Sequence, residues 1–169
     1  MVDFLSEVQD CVPSLRRYAR VLTRNADAAD DLVQDCLERA ISRRLLWRRK
    51  GSLRAWLFTI MHNVHANQVR YRAVRPLTVG LDDVTTESVT PADQGVGLTL
   101  RDLVVSLERL PEEQRQAVLL VALEGMSYAE IAQVTDVPIG TVMSRLARGR
   151  EALRGMMDGE TRPNLRRVR

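Results

Sequence analysis

The chain has 169 residues, an apolar fraction of 45% and a formal net charge of +3, which suits one globular domain or two small ones. No apolar run approaches the ~18 residues of a membrane span, and the N-terminus lacks the hydrophobic core of a signal peptide. We therefore expect a cytoplasmic protein without membrane insertion. Few aromatic residues and many Leu, Val and Ala residues favour helices.

The charge is unevenly distributed along the chain. Residues 1–76 carry 14 basic and 8 acidic side chains, whereas residues 77–105 carry 1 and 5. Of the 25 basic residues, only Lys50 is a lysine. Arginine suits bidentate contacts with phosphate and guanine, although a GC-rich genome produces the same bias.

Three helices are predicted in the first part of the chain, over residues 3–24, about 28–45 and 53–71, because apolar residues recur there at helical spacing. Pro13 is expected to start the main part of the first helix, after a short helical turn. Asn25 and Asp27 are expected to cap the second helix. Trp56 lies on the apolar stripe of the third helix and is expected in the core, whereas Trp47 is the better candidate for exposure.

Residues that bind metals or perform catalysis form no convincing group. His62 and His65 are three residues apart on the third predicted helix, with no further His or Cys nearby, so we expect no metal. Cys11 and Cys36 lie in apolar helical stretches and are interpreted as buried free thiols. Because the sequence has no nucleophile–base pair and no phosphate loop, we expect neither an enzyme nor a cofactor.

A change in composition divides the chain. Residues 77–97 are rich in Pro, Gly, Thr and acidic residues, and they predict an acidic flexible linker between domains at 1–76 and 98–160, with a basic tail at 161–169. Fully extended, the linker reaches about 70–75 Å. The two domains could therefore contact DNA sites on the order of two helical turns apart.

The second domain contains a predicted helix-turn-helix. Gly125 can end one helix, and Ser127 with Glu130 forms a capping box that starts the next. Pro138 suits the first turn of a second helix, whose buried stripe begins with Val142. The opposite face carries hydroxyl and arginine side chains, as in helices that enter a DNA major groove. The alternative is an ordinary helical hairpin with a solvated basic face.

Several stretches resemble the extracytoplasmic-function (ECF) RNA polymerase sigma factors of the sigma-70 family. DLVQDCLERA at 31–40 and LRAWLFTIMHN at 53–63 are similar to region 2. LPEEQR at 110–115, GMSYAEIA at 125–132 and IGTVMSRL at 139–146 are similar to region 4. The resemblance implies an all-α protein with two small helical domains, region 2 and a region 4 with the helix-turn-helix, joined by a flexible linker.

The resemblance also implies a function and partners. A protein of this family is a promoter-specificity subunit without an active site of its own. It binds core RNA polymerase through the coiled coil of the largest subunit and, via region 4, through the flap. It recognises a duplex −35 element and a melted −10 element of promoter DNA. An anti-sigma factor is expected to hold it inactive, at the membrane if that factor is membrane-bound.

The resemblance assigns three groups of binding residues. The core-polymerase contacts lie on the polar face of the second helix: Asp31, Gln34, Asp35, Glu38 and Arg39. The −10 contacts lie in a basic loop and on the third helix: Trp47, Arg48, Arg49, Lys50, Ser52, Arg54, Asn63, Asn67, Arg70 and Arg72, with Gln68 as a further candidate. The −35 contacts lie on the last helix: Thr141, Met143, Ser144, Arg145, Ala147 and Arg148.

Two positions depart from the family pattern. Met143 stands where Arg or Lys is common, and methionine cannot donate a hydrogen bond to guanine but can pack on a thymine methyl group. His62 stands where Arg is frequent, which predicts a weaker and pH-sensitive phosphate contact.

Two other protein classes remain open. A repressor or activator with the same helix-turn-helix would explain residues 98–156 but not the basic and aromatic residues between Trp47 and Arg75. A sigma-like decoy would bind an anti-sigma factor without driving transcription, and a degraded DNA-binding face would distinguish it.

Overall fold

The computed structural model describes residues 4–47, 51–74 and 94–161, with side chains at 4–47, 51–71 and 100–158. The helices are α1 (Phe4–Thr23), α2 (Ala26–Ser42), α3 (Leu53–Val74), α4 (Gln94–Arg109), α5 (Glu112–Ala122), α6 (Tyr128–Thr135) and α7 (Ile139–Thr161), with a 3₁₀ turn at Arg44–Leu46. Several predicted features lie outside the described residues: Arg48, Arg49, Lys50, the side chain of Arg72, most of the predicted linker and residues 162–169 of the basic tail.

The first helix runs continuously through Pro13, so the predicted start at this residue was wrong. Proline removes one backbone donor and therefore leaves the carbonyl of Gln9 without its helical partner. Both Pro13 and Gln9 are exposed, so water can bond that carbonyl. The opposite side of α1 buries Leu15 and Tyr18, and this packing holds the helix together across the proline.

The start of α2 follows the prediction. The side chain of Asn25 accepts a hydrogen bond from the backbone N–H of Ala28 at 2.8 Å and thereby caps the helix. The helix ends at Ser42, earlier than predicted, and the chain continues as the 3₁₀ turn. Its two leucines, Leu45 and Leu46, are exposed, so no buried stripe extends the helix beyond Ser42.

The N-terminal domain consists of α1, α2 and α3 around one apolar core. Each helix buries its stripe against the other two, and the rings of Tyr18 and Phe58 meet edge to face with centroids 5.4 Å apart. Burying a large apolar side chain contributes about 1.5–3 kcal/mol, so this core supplies most of the domain's stability. Its fully buried members include Leu15, Leu32, Cys36, Leu57, Met61 and Val64.

The C-terminal domain consists of α4 to α7. Gly125 follows α5 with φ +60°, and both bonds of the predicted capping box between Ser127 and Glu130 are present, which confirms the helix-turn-helix boundaries. Asp136 ends α6 in the left-handed conformation, with φ 52°. Helix α4 begins at Gln94, within the predicted linker, and its residues Leu103 and Val104 are exposed.

The two domains pack directly against each other. Helix α3 lies against α6, and α1 contacts α5. We call this packing the closed arrangement. No helix within the described ranges combines the length and the apolar character needed to cross a membrane.

Candidate nucleic-acid and polymerase interfaces

The polar face of α2 brings together the five residues predicted to bind core polymerase. Their spacing places them on the side of the helix opposite the buried Leu32 and Cys36. Hydrogen bonds partly order this face, from Gln34 Nε2 to Glu38 Oε1 at 3.0 Å and from Gln68 Nε2 to Asp35 Oδ2 at 3.2 Å. The side chain of Asp35 is half-buried. The other four are exposed, those of Asp31, Gln34, Glu38 and Arg39.

The exposed side of α3 carries three of the predicted −10 residues. Asn63, Asn67 and Arg70 are exposed and occur at i, i+4 and i+7, so they form one stripe. Gln68 is turned towards α2 by its bond to Asp35 and does not belong to this stripe. The stripe offers two amides, which can donate to and accept from base edges, and one guanidinium for phosphate.

Two tryptophans support the region before α3. Trp47 packs on Trp56 with ring centroids 5.6 Å apart, and Trp56 also meets the edge of Phe4. Both tryptophans are half-buried, so the expected contrast between an exposed Trp47 and a core Trp56 was wrong. Ser52 precedes α3 and accepts a hydrogen bond from the backbone N–H of Ala55 at 3.4 Å, as a helix-capping residue does.

Arg54, another predicted −10 residue, is engaged by the C-terminal domain. Its guanidinium donates to the carboxylate of Glu124 and, at 2.7 Å, to the carbonyl oxygen of the same residue. The carboxylate also accepts from Ser14 Oγ and from Arg17 at 2.9 Å. With a fully buried side chain, Glu124 is the centre of an ion-pair cluster between the domains. In the closed arrangement, Arg54 is therefore not free to contact DNA.

The exposed face of α7 carries the residues predicted to read the −35 element. Met143, Ala147 and Arg148 are exposed, whereas Thr141, Ser144 and Arg145 are half-buried. Ser144 Oγ donates to the carbonyl of Thr141 at 2.9 Å. Arg145 forms an ion pair with Glu113 at 3.0 Å, so its charge is used within the domain. The guanidinium of Arg148 is exposed on this face.

A second interdomain contact involves His65, which is buried on α3. Its Nε2 lies 2.6 Å from Glu112 Oε1 on α5. Burial acts to raise the pKa of the Glu112 carboxyl, but the hydrogen bond and charge of His65, with Arg115 and Gln116, outweigh it and lower the pKa. For His62, burial and the neighbouring His65 and Arg145 lower the pKa. His62 therefore lies near the interface between the two domains.

The sequence did not predict the contacts between the two domains. Ser14 and Glu124 are 110 residues apart, and His65 and Glu112 are 47 apart, so no local spacing relates them. The one available signal is Glu124 itself, a carboxylate at the end of the apolar run of α5. Among the described residues, no group of three or more His, Cys, Asp and Glu side chains could hold a metal ion.

Known proteins resemble both domains. Residues 8–62 match the family model described as the Sigma2 domain of PhyR, and residues 100–153 match that of Sigma-70, region 4. The ECF RNA polymerase sigma factor EcfG of Rhodopseudomonas palustris is 34% identical over 151 residues, which cover 89% of this chain and 83% of the relative. The ECF sigma-E factor of Escherichia coli K12 is 30% identical, with 89% and 84% covered. The chain belongs to the ECF sigma factors of RNA polymerase.

Solved structures agree with this assignment. The sigma factor RpoE of Bartonella quintana, crystallised with the anti-sigma factor NepR, superimposes with a TM-score of 0.73 at 31% identity and covers 94% of this chain and 98% of its own. The PhyRSL protein of Sphingomonas sp. Fr1 shares the fold, with a TM-score of 0.70 at 21% identity.

Membership in the ECF sigma factors gives the function of the protein. It is an all-α transcription initiation factor that binds core RNA polymerase and directs promoter-specific initiation at −35 and −10 DNA. It has no enzymatic activity of its own, as is general for sigma factors.

Proposed function

We propose that the exposed polar face of α2 binds the coiled coil of the largest polymerase subunit. Its carboxylates offer acceptors for a basic helix, and Arg39 offers a donor. The bond between Gln34 and Glu38 orders part of this face before binding, which reduces the entropy lost on association. The exposed apolar stripe of α4, with Leu100, Leu103 and Val104, is the surface that we assign to the polymerase flap.

The α3 stripe is the proposed reader of the melted −10 strand. The observation that carries this assignment is the alignment of Asn63, Asn67 and Arg70 on one exposed side of α3. Amides suit the Watson–Crick edges of unpaired bases, and a cation suits the backbone of the strand. We assign the pocket for a flipped base to the basic loop that follows Trp47, whose ring packs on Trp56 of α3.

Helix α7 is the proposed reader of the −35 duplex. Its exposed Met143 suits a thymine methyl group, and its exposed Arg148 suits guanine or phosphate. The hydroxyl of Ser144 donates to the backbone carbonyl of Thr141, so we assign Ser144 to backbone contact rather than base readout, whereas the half-buried Thr141 keeps its own hydroxyl for the DNA. Arg145 is held by Glu113 and is assigned to phosphate only after that ion pair exchanges.

The closed arrangement is the proposed inactive form of the protein. It holds Arg54 under the C-terminal domain and keeps α3 against α6. Simultaneous contact with −10 and −35 elements requires the domains to separate, and the predicted linker is long enough for that separation. Binding to polymerase therefore has to replace the contacts made by Glu124.

Control by an anti-sigma factor is the proposed regulation. The support is the similarity to Bartonella RpoE, which was crystallised with such a factor, NepR. A membrane-bound anti-sigma factor would keep the protein at the membrane until released, and the released protein would act with polymerase in the cytoplasm.

A second candidate function is that of a sigma-like decoy. It is favoured by the match of residues 8–62 to the PhyR family model, since Bartonella PhyR is described as an anti-anti-sigma factor and was crystallised with NepR. A decoy does not need a DNA-reading face. The exposed α3 stripe and Arg148 favour the sigma factor.

The test is binding of a −10 single strand by the protein in complex with core polymerase. Asn63→Ala is expected to weaken this binding about threefold to tenfold, because it removes one hydrogen-bonding side chain. Gln9→Ala, on the exposed side of α1, is the control and should leave binding unchanged. Core binding without any −10 binding would favour the decoy.

A further inference from the structure

A cavity of about 290 Å³ lies where the end of α1, the middle of α3 and the start of α5 meet. It belongs to both domains, and its lining includes neither the α3 stripe of Asn63, Asn67 and Arg70 nor any residue of α7. Leu22 and Val69 form its apolar part. The other lining residues are polar: Thr23, Arg24, His65, Gln68, Glu112 and Arg115.

The wall formed by α5 contains a buried guanidinium that is poorly satisfied. The side chain of Arg115 is 7% exposed, and its closest described ion pair is a long one, 3.4 Å from Nη2 to Glu112 Oε2. Among the described residues, no group accepts a hydrogen bond from its Nε. The Nε itself is inaccessible to solvent, so an acceptor that enters the cavity would bond the Nη groups of Arg115, which lines the cavity.

The carboxylate of Glu112 does not fully satisfy the guanidinium of Arg115. Its Oε1 accepts from Gln116 at 2.9 Å and lies 2.6 Å from His65 Nε2. Three side chains therefore share one negative charge. His65 is itself incompletely bonded, because its buried Nδ1 has no hydrogen-bond partner in the described part of the chain.

A second guanidinium, that of Arg24, stands at the end of α1. Its Nε is 4.0 Å from the Glu108 carboxylate, the limit of an ion pair, and its Nη2 donates to the backbone carbonyl of Glu108 at 3.0 Å. Burial, and next the positive charge of Arg24, lower the pKa of Arg115. Two weakly neutralised arginines thus share one small cavity.

We propose that this cavity binds a phosphate group between the guanidinium groups of Arg24 and Arg115. Arginine matches phosphate through parallel N–H donors, and a tetrahedral anion can accept from two side chains at once. The volume accommodates a phosphate with a small substituent such as a sugar. The group belongs either to a small phosphate ester or to the DNA backbone.

The ligand contacts both domains and therefore stabilises the closed arrangement. Binding energy gained only in this arrangement shifts the equilibrium towards it by mass action. A small phosphate ester would in this way lower transcription. This inference rests on the closed arrangement and not on the proposed DNA-reading faces, so it can fail while the proposed function holds.

The test is calorimetric titration of the full chain with inorganic phosphate at constant ionic strength, with chloride as the balancing anion. Arg24→Gln should weaken phosphate binding about tenfold, the value of one charge-assisted hydrogen bond. Arg16→Gln is the matched control, because Arg16 lies on the same helix and forms an exposed ion pair with Asp30 away from the cavity. Absence of phosphate binding, or equal weakening by both variants, would overturn the proposal.

Two competitors identify the source of the phosphate group. Displacement of bound phosphate by ribose 5-phosphate but not by a single-stranded oligodeoxynucleotide supports a small ester. The reverse result supports the DNA backbone. In both cases Arg115→Lys should retain more affinity than Arg115→Gln, since it keeps a positive charge in the wall. Equal loss in these two variants, with unchanged thermal stability, would contradict a charged anion site.

Discussion

At the scale of single residues, the same residue type has different roles in different surroundings. Arg54 and Arg70 both lie on α3, and both were predicted to contact the −10 strand from their basic character. The structure leaves Arg70 exposed but bonds Arg54 to the buried carboxylate of Glu124. Sequence spacing cannot separate these cases, because the deciding carboxylate is 70 residues away.

The side chain of Met143 supports a prediction about the −35 preference of the protein. It is exposed on α7 and offers no hydrogen-bond donor to guanine. Met143→Arg is expected to shift −35 preference towards guanine by about tenfold, because a bidentate contact then becomes available. Selection from a randomised −35 library measures the shift. Gln9→Arg adds the same charge outside α7, and an equal shift with it would show a non-specific effect of charge.

At the scale of secondary structure, local signals predicted the helix boundaries well where a cap was involved. The Ser127–Glu130 capping box and the Asn25 cap both appear as predicted. The prediction at Pro13 was wrong because a proline is tolerated inside a helix when the carbonyl that it leaves unbonded is exposed to water. That exposure is known only once α1 is packed in the fold. The exposure of Leu103 and Val104 is likewise set by which side of α4 the other helices cover.

The capping box supports a stability prediction. Ser127→Ala removes the side-chain bond to the N–H of Glu130 and should cost about 1 kcal/mol. Chemical denaturation of the full chain measures this change. Ser6→Ala, an exposed position in α1, serves as the control and should be nearly neutral. Equal stability of the two variants would mean that the box contributes nothing to the domain.

Two glycines of α7 give a matched pair. A Cβ atom at Gly149 would lie 2.9 Å from Val118 Cγ2 on α5, whereas one at Gly155 would meet nothing within 4 Å. Gly155→Ala should stabilise the protein by about 0.5–1 kcal/mol through helix propensity. Gly149→Ala should lose that gain to overpacking and lower the free energy of unfolding by about 1 kcal/mol. Thermal melts compare them, and a stabilising Gly149→Ala would disprove the close packing of α5 and α7.

At the scale of the whole molecule, the all-α fold and the helix-turn-helix could be predicted from the sequence, but the closed arrangement could not. Helical periodicity and caps are local and therefore visible in sequence. The interdomain contacts of Glu124 and Glu112 join residues that only the folded chain brings together. The three predicted faces are exposed only in part, because Arg54 is bonded to Glu124 and half of the predicted α7 residues are half-buried, and the contacts assigned to them stay predictions.

Removing the charge of Glu124 should open the molecule. The chain of 169 residues should have a radius of gyration of about 15–16 Å when closed. Glu124→Gln leaves Arg17 and Arg54 without their shared negative charge, and because both guanidinium groups are partly solvated the cost stays below the ~3–5 kcal/mol of a fully buried ion pair. Small-angle X-ray scattering should then show a larger radius. Glu38→Gln, exposed on α2, is the control, and identical radii for both variants would contradict the role of Glu124.

Acidification should also favour opening. Burial lowers the pKa of His62 below 6.5 in the closed arrangement, and the neighbouring His65 and Arg145 lower it further, whereas Glu112 acts in the opposite direction. The open form therefore takes up a proton more readily as the pH falls below 6.5, and the lowered pKa of Glu112 acts in the same direction below 4.5. Scattering at pH 7.5 and 5.5 measures the response. His62→Gln should reduce it, and an undiminished response would exclude His62.

Promoter-specific transcription in vitro tests the central claim most directly. Core RNA polymerase would be combined with the purified chain and a pool of genomic DNA, and the 5′ ends of the transcripts would be sequenced. The account predicts defined start sites that share paired −35 and −10 motifs and that weaken with Asn63→Ala. Core binding without specific initiation would contradict it in favour of a decoy, and failure to bind core would contradict the assignment of the α2 face.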